Sequence, residues 1–401
     1  MGYIPDIRIE HDFRSQGDKY VCIECFGDYA IQEFIEKFAE SKKCDYCKKS
    51  SKKHNIAANI NDVILFILEG VETEWGDPNN EGVGWDSGEG GYYSAVVIYS
   101  YDLFTEELDL GIEREELLSD IIDAFSDDMW CQKDPHGLLP QDQWYIDWER
   151  FCHLVKHHTR YVFFRIPKEE NFDPCQNKPY EILDEIGVLV NDLHLIKTLP
   201  ENSVFVRVRC HEEGEKLSDV KALGPPPVDK ANNSNRMSPA GIPMFYGSID
   251  QETALAETYD KRPYATIAKF KTLKSFKVLD LTELASIPSL FDNELRWLRP
   301  GIIFLHSFLE DFTKPIERDG REHIEYVPTQ IVTEFFRRIF LDEEGDPIKG
   351  IIYPSAREIG GKSCVLFFQS EDCIQDNVDP ENKQDKWLSM LSKSKKTIKL
   401  P

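Results

Sequence analysis

The sequence predicts an α+β protein, with helices concentrated in the N-terminal half and strands in the C-terminal half. In the N-terminal half, apolar residues recur at helical spacing, most clearly over 113–130. In the C-terminal half, β-branched runs such as 203–209 alternate with amphipathic helices, but clean βαβ spacing is absent. Helices and strands that alternate without that spacing favour the α+β class.

Composition limits the broad class of the protein. A length of 401 residues suggests two or three domains. Asp and Glu (72) outnumber Lys and Arg (47), so the formal net charge is −25 and argues against a general nucleic-acid binder. No apolar run reaches the ~18–20 residues of a membrane span, and the N-terminus lacks a signal-peptide layout. We therefore expect a cytoplasmic protein without a membrane partner.

Four cysteines near the N-terminus form two Cys-x2-Cys pairs. Cys22 and Cys25 are separated by eighteen residues from Cys44 and Cys47. Each pair brings two thiolates to one ion, and two pairs complete a tetrahedral shell, so the spacing predicts a structural zinc site. Two incidental redox pairs are the alternative interpretation. The stretch between the pairs predicts a helix whose ends the zinc would pin, because its apolar residues form one stripe. These residues are Ile31, Phe34, Ile35 and Phe38.

The C-terminal half begins after a helix predicted over 178–197. Strand 203–209 follows, and Arg207 and Arg209 lie on one of its faces because they are two residues apart. A short strand carrying Tyr246 ends at Gly247, and Asp250 is a suitable N-cap for the next helix. Further strands are predicted over 266–270, 276–281, 350–353 and 364–368.

Several ordered blocks of the C-terminal half resemble the RES domain. They are Arg-Met-Ser-Pro-Ala-Gly-Ile-Pro-Met-Phe-Tyr-Gly-Ser from Arg236, Glu-Thr-Ala-Leu-Ala-Glu ending at Glu257, Tyr-Val-Pro-Thr-Gln, and Gly-Ile-Ile-Tyr-Pro-Ser ending at Ser355. The N-terminal half, with its cysteine pairs, is similar to the HEPN/RES N-terminal domain 1. The predicted domains are 1–165 for this helical part, 166–200 for a helical connector, 201–375 for the RES domain and 376–401 for a charged, partly disordered tail.

The resemblance implies an ADP-ribosyltransferase-like fold with a central β core, and NAD as the substrate. The implied reaction cleaves the nicotinamide–ribose bond, as in toxins of bacterial toxin–antitoxin pairs. The first family arginine falls on Arg207 or Arg209; Arg207 is favoured, although Val206 replaces the usual tyrosine. The other implied positions are Arg236, Tyr246, Glu257 and Ser355.

The chemistry of NAD suits these residue types. Guanidinium groups pair with the diphosphate, and a carboxylate such as Glu257 stabilises an oxocarbenium-like ribose. Tyr246 is expected to hold the nicotinamide by stacking, and Ser355 to donate a hydrogen bond to the dinucleotide. The acceptor of the ADP-ribosyl group is left open among water, phosphate and a protein side chain. An antitoxin or another inhibitory partner is expected, because unrestrained NAD loss kills a cell.

Two other functions are alternatives to the NAD-cleaving enzyme. One is a module that binds NAD or ADP-ribose without turnover and contacts a partner through the zinc-containing half. The other is a HEPN-type ribonuclease, since Arg150 and His157 fit the Arg-x4–6-His spacing of that motif. The acidic surface weakens the ribonuclease interpretation.

Overall fold

The computed structural model describes residues 13–125, 128–165, 178, 180–315 and 320–400. The chain divides into two compact units: Met1–Pro140 with Ser286–Pro300, and Gln141–Ala285 with Gly301–Pro401. The predicted boundaries at 165, 200 and 375 stay predictions, because compact units and sequence domains need not coincide. Within the described ranges, no helix is both long and apolar enough to cross a membrane.

The first unit combines short helices with three small antiparallel sheets. Its helices are α1 (Tyr29–Phe38), α2 (Ile60–Val71), α3 (Ser100–Asp102) and α4 (Glu115–Phe125). Its strands are β1 (Tyr20–Cys22), β2 (Ala57–Asn59), β3 (Trp75–Gly76), β4 (Gly84–Asp86), β5 (Gly91–Tyr93), β6 (Ile98–Tyr99) and β7 (Met129–Gln132). The sheets are β1–β2, β3–β7–β6 and β4–β5. The helix predicted over 113–130 is therefore too long, since β7 occupies its last residues.

The stripe predicted between the cysteine pairs forms the buried face of α1. Asp28 caps this helix by accepting hydrogen bonds from the backbone N–H groups of Ala30 and Ile31. Phe34 is buried and stacks on Phe66 of α2 with ring centroids 4.3 Å apart. Burying each such side chain contributes about 1.5–3 kcal/mol, so packing rather than helix propensity holds α1 in place.

A distant segment, 286–300, completes the core of the first unit. Leu290 and Phe291 are buried in the same cluster as α1 and α2. The Phe291 ring lies 2.5 Å from the position that a Cβ on Gly70 would take, so only glycine fits there. Tyr29 donates a hydrogen bond to Asp292 at 2.7 Å. These residues are far from α1 in sequence, and no local pattern predicts the contact.

The second unit contains seven helices and ten strands among the described residues. The helices are α5 (Pro140–His157), α6 (Ile182–Asp192), α7 (Val220–Leu223), α8 (Gln251–Thr258), α9 (Arg299–Thr313), α10 (Glu322–Glu325) and α11 (Val327–Arg338). The strands are β8 (Ile196–Leu199), β9 (Val204–His211), β10 (Phe245–Ser248), β11 (Tyr264–Thr272), β12 (Phe276–Asp280), β13 (Gly350–Pro354), β14 (Lys362–Leu366), β15 (Cys373–Gln375), β16 (Leu388–Met390) and β17 (Lys396–Lys399). The predicted strands match β9 to β14.

The ten strands form one mixed sheet. Its order is β15–β16–β11–β9–β10–β14–β13–β12–β8, and β17 pairs with β11. Only the pairs β12–β13 and β15–β16 are parallel among the described strands. A largely antiparallel sheet flanked by helices agrees with the predicted α+β class and with the absence of βαβ spacing.

Two predictions about the second unit are wrong, one about the helix before β8 and one about the C-terminal tail. The helix predicted over 178–197 ends at Asp192, because His194 adopts a positive φ of 51° that a helix cannot continue, and β8 follows. The tail after 375 is charged, but the structure does not support partial disorder there. Leu388 and Met390 are buried in β16, and β16 and β17 both pair with β11. The long edge of β11 leaves backbone groups unpaired, and the tail satisfies them.

Candidate active site

A cleft of about 830 Å³ in the second unit contains four of the six residues predicted for the dinucleotide site. They are Arg207 from β9, Arg236 from the loop before β10, Tyr246 from β10 and Glu257 from α8. Of the other two, Ser355 contacts Glu257. Arg209 lines a cavity that adjoins the cleft. The fold therefore brings residues that are up to 50 positions apart in the sequence, Arg207 and Glu257, into one cleft.

Glu257 lies in the last turn of α8. Asp250 fixes the start of this helix, since its side chain accepts from the Thr253 N–H at 2.8 Å and from the Thr253 hydroxyl at 2.7 Å. Oε1 of Glu257 accepts the Ser355 hydroxyl at 2.5 Å and the Ala356 N–H at 3.2 Å. Oε2 accepts no hydrogen bond from the described residues. The carboxylate is thus held by one oxygen, which leaves the other for a ligand.

Ser355 contacts Glu257 in this structure. The predicted role of Ser355 is to donate a hydrogen bond to the dinucleotide, and here its hydroxyl donates to Glu257. The same oxygen accepts from the N–H groups of Arg357 and Glu358, at 3.2 and 3.1 Å. Since a hydroxyl has one proton to donate, the Ser355 hydroxyl donates only to Glu257 in this arrangement.

Tyr246 is fixed at both its backbone and its side chain. Its hydroxyl lies 2.9 Å from Oγ of Ser238, and its backbone oxygen accepts a hydrogen bond from Arg207. Burial raises the pKa of the Tyr246 phenol, so the ring is neutral at physiological pH. The buried Tyr353 also lines the cleft, and burial raises the pKa of its phenol well above the usual value.

Arg236 is held at the end of α9. Its Nη1 donates to the backbone oxygens of Phe312 at 3.1 Å and Lys314 at 2.7 Å. Its guanidinium carbon lies 6.0 Å from the centroid of the Tyr326 ring, within the range of a cation–π contact. These contacts fix the position of the guanidinium where it lines the cleft.

Arg207, which the sequence favours as the first family arginine, and Arg209 have different surroundings. Arg207 donates to the backbone oxygen of Tyr246 and lies 5.3 Å from the centroid of the Phe245 ring. Arg209 donates to the backbone oxygen of Gly224 at 2.7 Å. Burial lowers the pKa of both, that of Arg207 to about 9, and the charge of Arg209 lowers the pKa of Arg207 further. Only Arg207 lines the same cleft as Glu257.

Several cleft residues were not predicted. Tyr326 and Tyr353 line the cleft and lie inside the quoted blocks Tyr-Val-Pro-Thr-Gln and Gly-Ile-Ile-Tyr-Pro-Ser, so the motif itself is the available signal. Arg262 also lines the cleft. Arg262 is paired with Asp260, and no local pattern marks it.

The four N-terminal cysteines come together in the first unit. Their Sγ atoms all lie within 4.8 Å of one another, and three of the residues are buried. Individual Sγ–Sγ distances are 4.0 Å (Cys22–Cys25), 3.4 Å (Cys22–Cys47) and 3.7 Å (Cys25–Cys44). A tetrahedral zinc with Zn–S bonds of about 2.3 Å has edges of about 3.8 Å. The donor set and its geometry therefore fit a four-coordinate metal ion with no open position.

The Arg150 and His157 pair lies on α5. Arg150 is 3.7 Å from Oδ1 of Asp147, and the His157 ring lies 5.3 Å from the ring of His153. His157 is exposed. The cleft that contains Glu257 is lined by neither Arg150 nor His157.

Two family models match the chain in the predicted order. The model for HEPN/RES N-terminal domain 1 matches residues 37–169, and the model for the RES domain matches residues 209–389. The chain carries a HEPN/RES N-terminal domain 1 followed by a RES domain. The RES match contains Arg209, Arg236, Tyr246, Glu257 and Ser355, and begins two residues after Arg207. No curated protein and no solved structure matches the chain.

Proposed function

We propose that the RES domain of this protein cleaves the bond between nicotinamide and ribose in NAD. The electron pair of that bond leaves with nicotinamide, which becomes neutral. The remaining C1′ carries developing positive charge until an acceptor oxygen or nitrogen bonds to it and loses its proton. Water, phosphate and a protein side chain are the candidate acceptors, and they yield ADP-ribose, its 1-phosphate or an ADP-ribosylated protein.

The observation that carries this proposal is the orientation of Glu257. Ser355 and the Ala356 N–H hold one carboxylate oxygen, and the other stays available in the cleft. A carboxylate fixed in this way stabilises the cationic ribose as the bond breaks and accepts a hydrogen bond from a ribose hydroxyl. Because it is oriented before the substrate arrives, little reorganisation is needed at the moment of reaction.

The other cleft residues suit the remaining parts of NAD. Arg207 and Arg236 supply two positive charges for a diphosphate with two negative charges. The neutral ring of Tyr246 offers a surface on which nicotinamide stacks. The described residues thus supply a partner for each charged part of the substrate without a covalent nucleophile.

The test is nicotinamide release from NAD by the full-length protein and by Glu257→Gln. The substitution removes the negative charge and keeps the shape, so we expect a ~10²–10³-fold loss in kcat. Glu252→Gln is the matched control, because Glu252 is an exposed residue of the same helix and does not line the cleft. Equal rates for wild type and Glu257→Gln would contradict the proposal.

For the first unit we propose a structural zinc ion held by Cys22, Cys25, Cys44 and Cys47. All four positions of the shell would be filled by thiolates, so the ion would stabilise the fold and leave no site for a substrate. The ion would join the chain on both sides of α1. This half, or a separate inhibitory partner, would restrain the NAD-consuming cleft in the cell.

A non-catalytic NAD or ADP-ribose sensor is the second candidate function. The hydrogen bond between Ser355 and Glu257 favours the sensor over a ribonuclease. A carboxylate held rigidly in this way would also serve a site that only binds its ligand. Binding of NAD without nicotinamide release, unaffected by Glu257→Gln, would support the sensor.

A further inference from the structure

A second cavity, here called the basic cavity, adjoins the cleft. It has a volume of about 310 Å³ and shares Arg207, Tyr246 and Arg262 with the lining of the cleft. Arg209 and Lys230 line the basic cavity only, and Glu257 lines the cleft only. The two spaces therefore share part of their lining, while Glu257 lines only the cleft and Arg209 and Lys230 line only the basic cavity.

The basic cavity has an unusual charge for this protein. Four cationic side chains line it, and no Asp or Glu does so among the described residues. These cations are Arg207, Arg209, Lys230 and Arg262. Arg262 is paired with Asp260, whose carboxylate accepts from its Nε at 2.8 Å. In a chain where carboxylates outnumber Lys and Arg by 72 to 47, a cavity whose charged lining residues are all cationic points to an anionic ligand.

The arginines of the basic cavity are incompletely paired. The Nε atoms of Arg207 and Arg209 are buried and have no hydrogen-bond partner in the described part of the chain. A buried donor without a partner is unfavourable, and so is the repulsion between neighbouring guanidinium groups. That repulsion contributes, after burial, to the lowered pKa of both side chains. A bound anion would accept from the donors and reduce the repulsion.

The number of charges indicates the chemical class of the anion. The proposed function assigns Arg207 and Arg236 to the two charges of a dinucleotide diphosphate. Arg209 and Lys230 are then additional cations beyond that diphosphate. A phosphomonoester carries about −1.5 to −2 charges at neutral pH, which matches these two groups. The amide side chains of Asn232 and Asn233 line the same cavity and offer further donors.

We propose that Arg209 and Lys230 bind a phosphomonoester, carried by the substrate on the adenosine half of a nicotinamide dinucleotide. Glu257 lines the cleft and would receive the nicotinamide ribose, so the basic cavity, which shares Arg207 with the cleft, would receive the other half, where NADP has a 2′-phosphate and NAD has a hydroxyl. The inference rests on the proposed function and deepens it. Free inorganic phosphate has the same chemistry, and the experiment separates the two sources.

The kinetic test compares kcat/KM for NADP and NAD. We expect wild type to prefer NADP by about tenfold or more, which is the worth of one charge-assisted contact. Lys230→Ala should lose most of that preference while its rate with NAD is unchanged. Lys221→Ala is the matched control, because Lys221 is an exposed lysine of α7 that does not line the basic cavity. Arg209→Lys, which keeps the positive charge, serves as a second variant.

The binding test does not require turnover. Glu257→Gln is titrated with ADP-ribose, with its 2′-phosphate and with inorganic phosphate, each with and without Lys230→Ala. Tighter binding of the 2′-phosphate that depends on Lys230 supports the proposal. Lys230-dependent binding of inorganic phosphate supports the site with the free anion as its occupant. If the protein binds all three ligands equally with and without Lys230→Ala, the inference is overturned, even if NAD is cleaved. If the protein prefers the 2′-phosphate but wild type cleaves no dinucleotide, only the proposed function is overturned.

Discussion

In the cysteine cluster of the first unit, four sulfur atoms lie within 4.8 Å of one another, whereas in the cleft of the second unit the charged groups line an open space of about 830 Å³. The cluster has one donor for each position of a tetrahedral shell and leaves none for a substrate. The cleft leaves one oxygen of Glu257 and the Nε atom of Arg207 without a partner among the described residues. A cysteine cluster that fills every position of a metal's shell is suited to stabilise the fold, whereas a cleft with unpaired polar groups is suited to bind a ligand.

The largest effect is expected from a substitution in the cysteine cluster. We expect Cys44→Ser to lose the bound zinc completely and to unfold the first unit, because a three-thiolate site with a weak fourth ligand no longer offsets the cost of ordering the chain. Zinc content by mass spectrometry of the native protein and a thermal melt measure both effects. Cys152→Ser is the control, since Cys152 is a half-buried thiol outside the cluster. Full zinc content in Cys44→Ser would contradict the structural role.

At the cleft, the ring and the hydroxyl of Tyr246 are expected to contribute unequally. Tyr246→Ala should lower nicotinamide release by ~10²-fold, because the stacking surface and the positioning of nicotinamide are both lost. Tyr246→Phe keeps the ring and loses the contact with Ser238, so its rate should fall less than tenfold, the worth of about one hydrogen bond. Tyr259→Ala, at an exposed tyrosine, serves as the control. A larger loss in Tyr246→Phe than in Tyr246→Ala would contradict this division.

Substitution of Ser355 is expected to have the smallest effect, and it distinguishes a residue that positions Glu257 from one that binds the dinucleotide. If it positions Glu257, Ser355→Ala should lower kcat about tenfold and leave KM for NAD nearly unchanged. If it binds the dinucleotide directly, KM should rise instead. Ser355→Thr retains the hydroxyl and should recover most of the kcat, which a purely structural effect of the alanine variant does not predict.

Much of the architecture follows from local patterns. The Cys-x2-Cys pairs, the apolar stripe of α1 and the alternation in β9 each depend on a few neighbouring residues, and the structure shows all three. Arg207, Arg236, Tyr246 and Glu257 were expected at one site from a family order of motifs, and the sheet and α8 bring them to one cleft.

What the sequence could not show depends on long-range contacts. Phe291 packs against Gly70 in the first unit, and strands of the predicted tail pair with β11. The hydrogen bond from Ser355 to Glu257 joins residues 98 positions apart. Neither residue type nor spacing distinguishes a serine that contacts a ligand from one that holds a carboxylate, because that difference is set by tertiary geometry.

A mass balance on the wild-type protein tests whether the cleft turns NAD over. NAD is incubated with the protein, with and without phosphate, and nicotinamide and every ADP-ribosyl product are quantified by mass. We expect nicotinamide and ADP-ribosyl product in equal amounts, with the product mass identifying the acceptor. NAD recovered intact in every sample, although it binds to the protein, would contradict the claim.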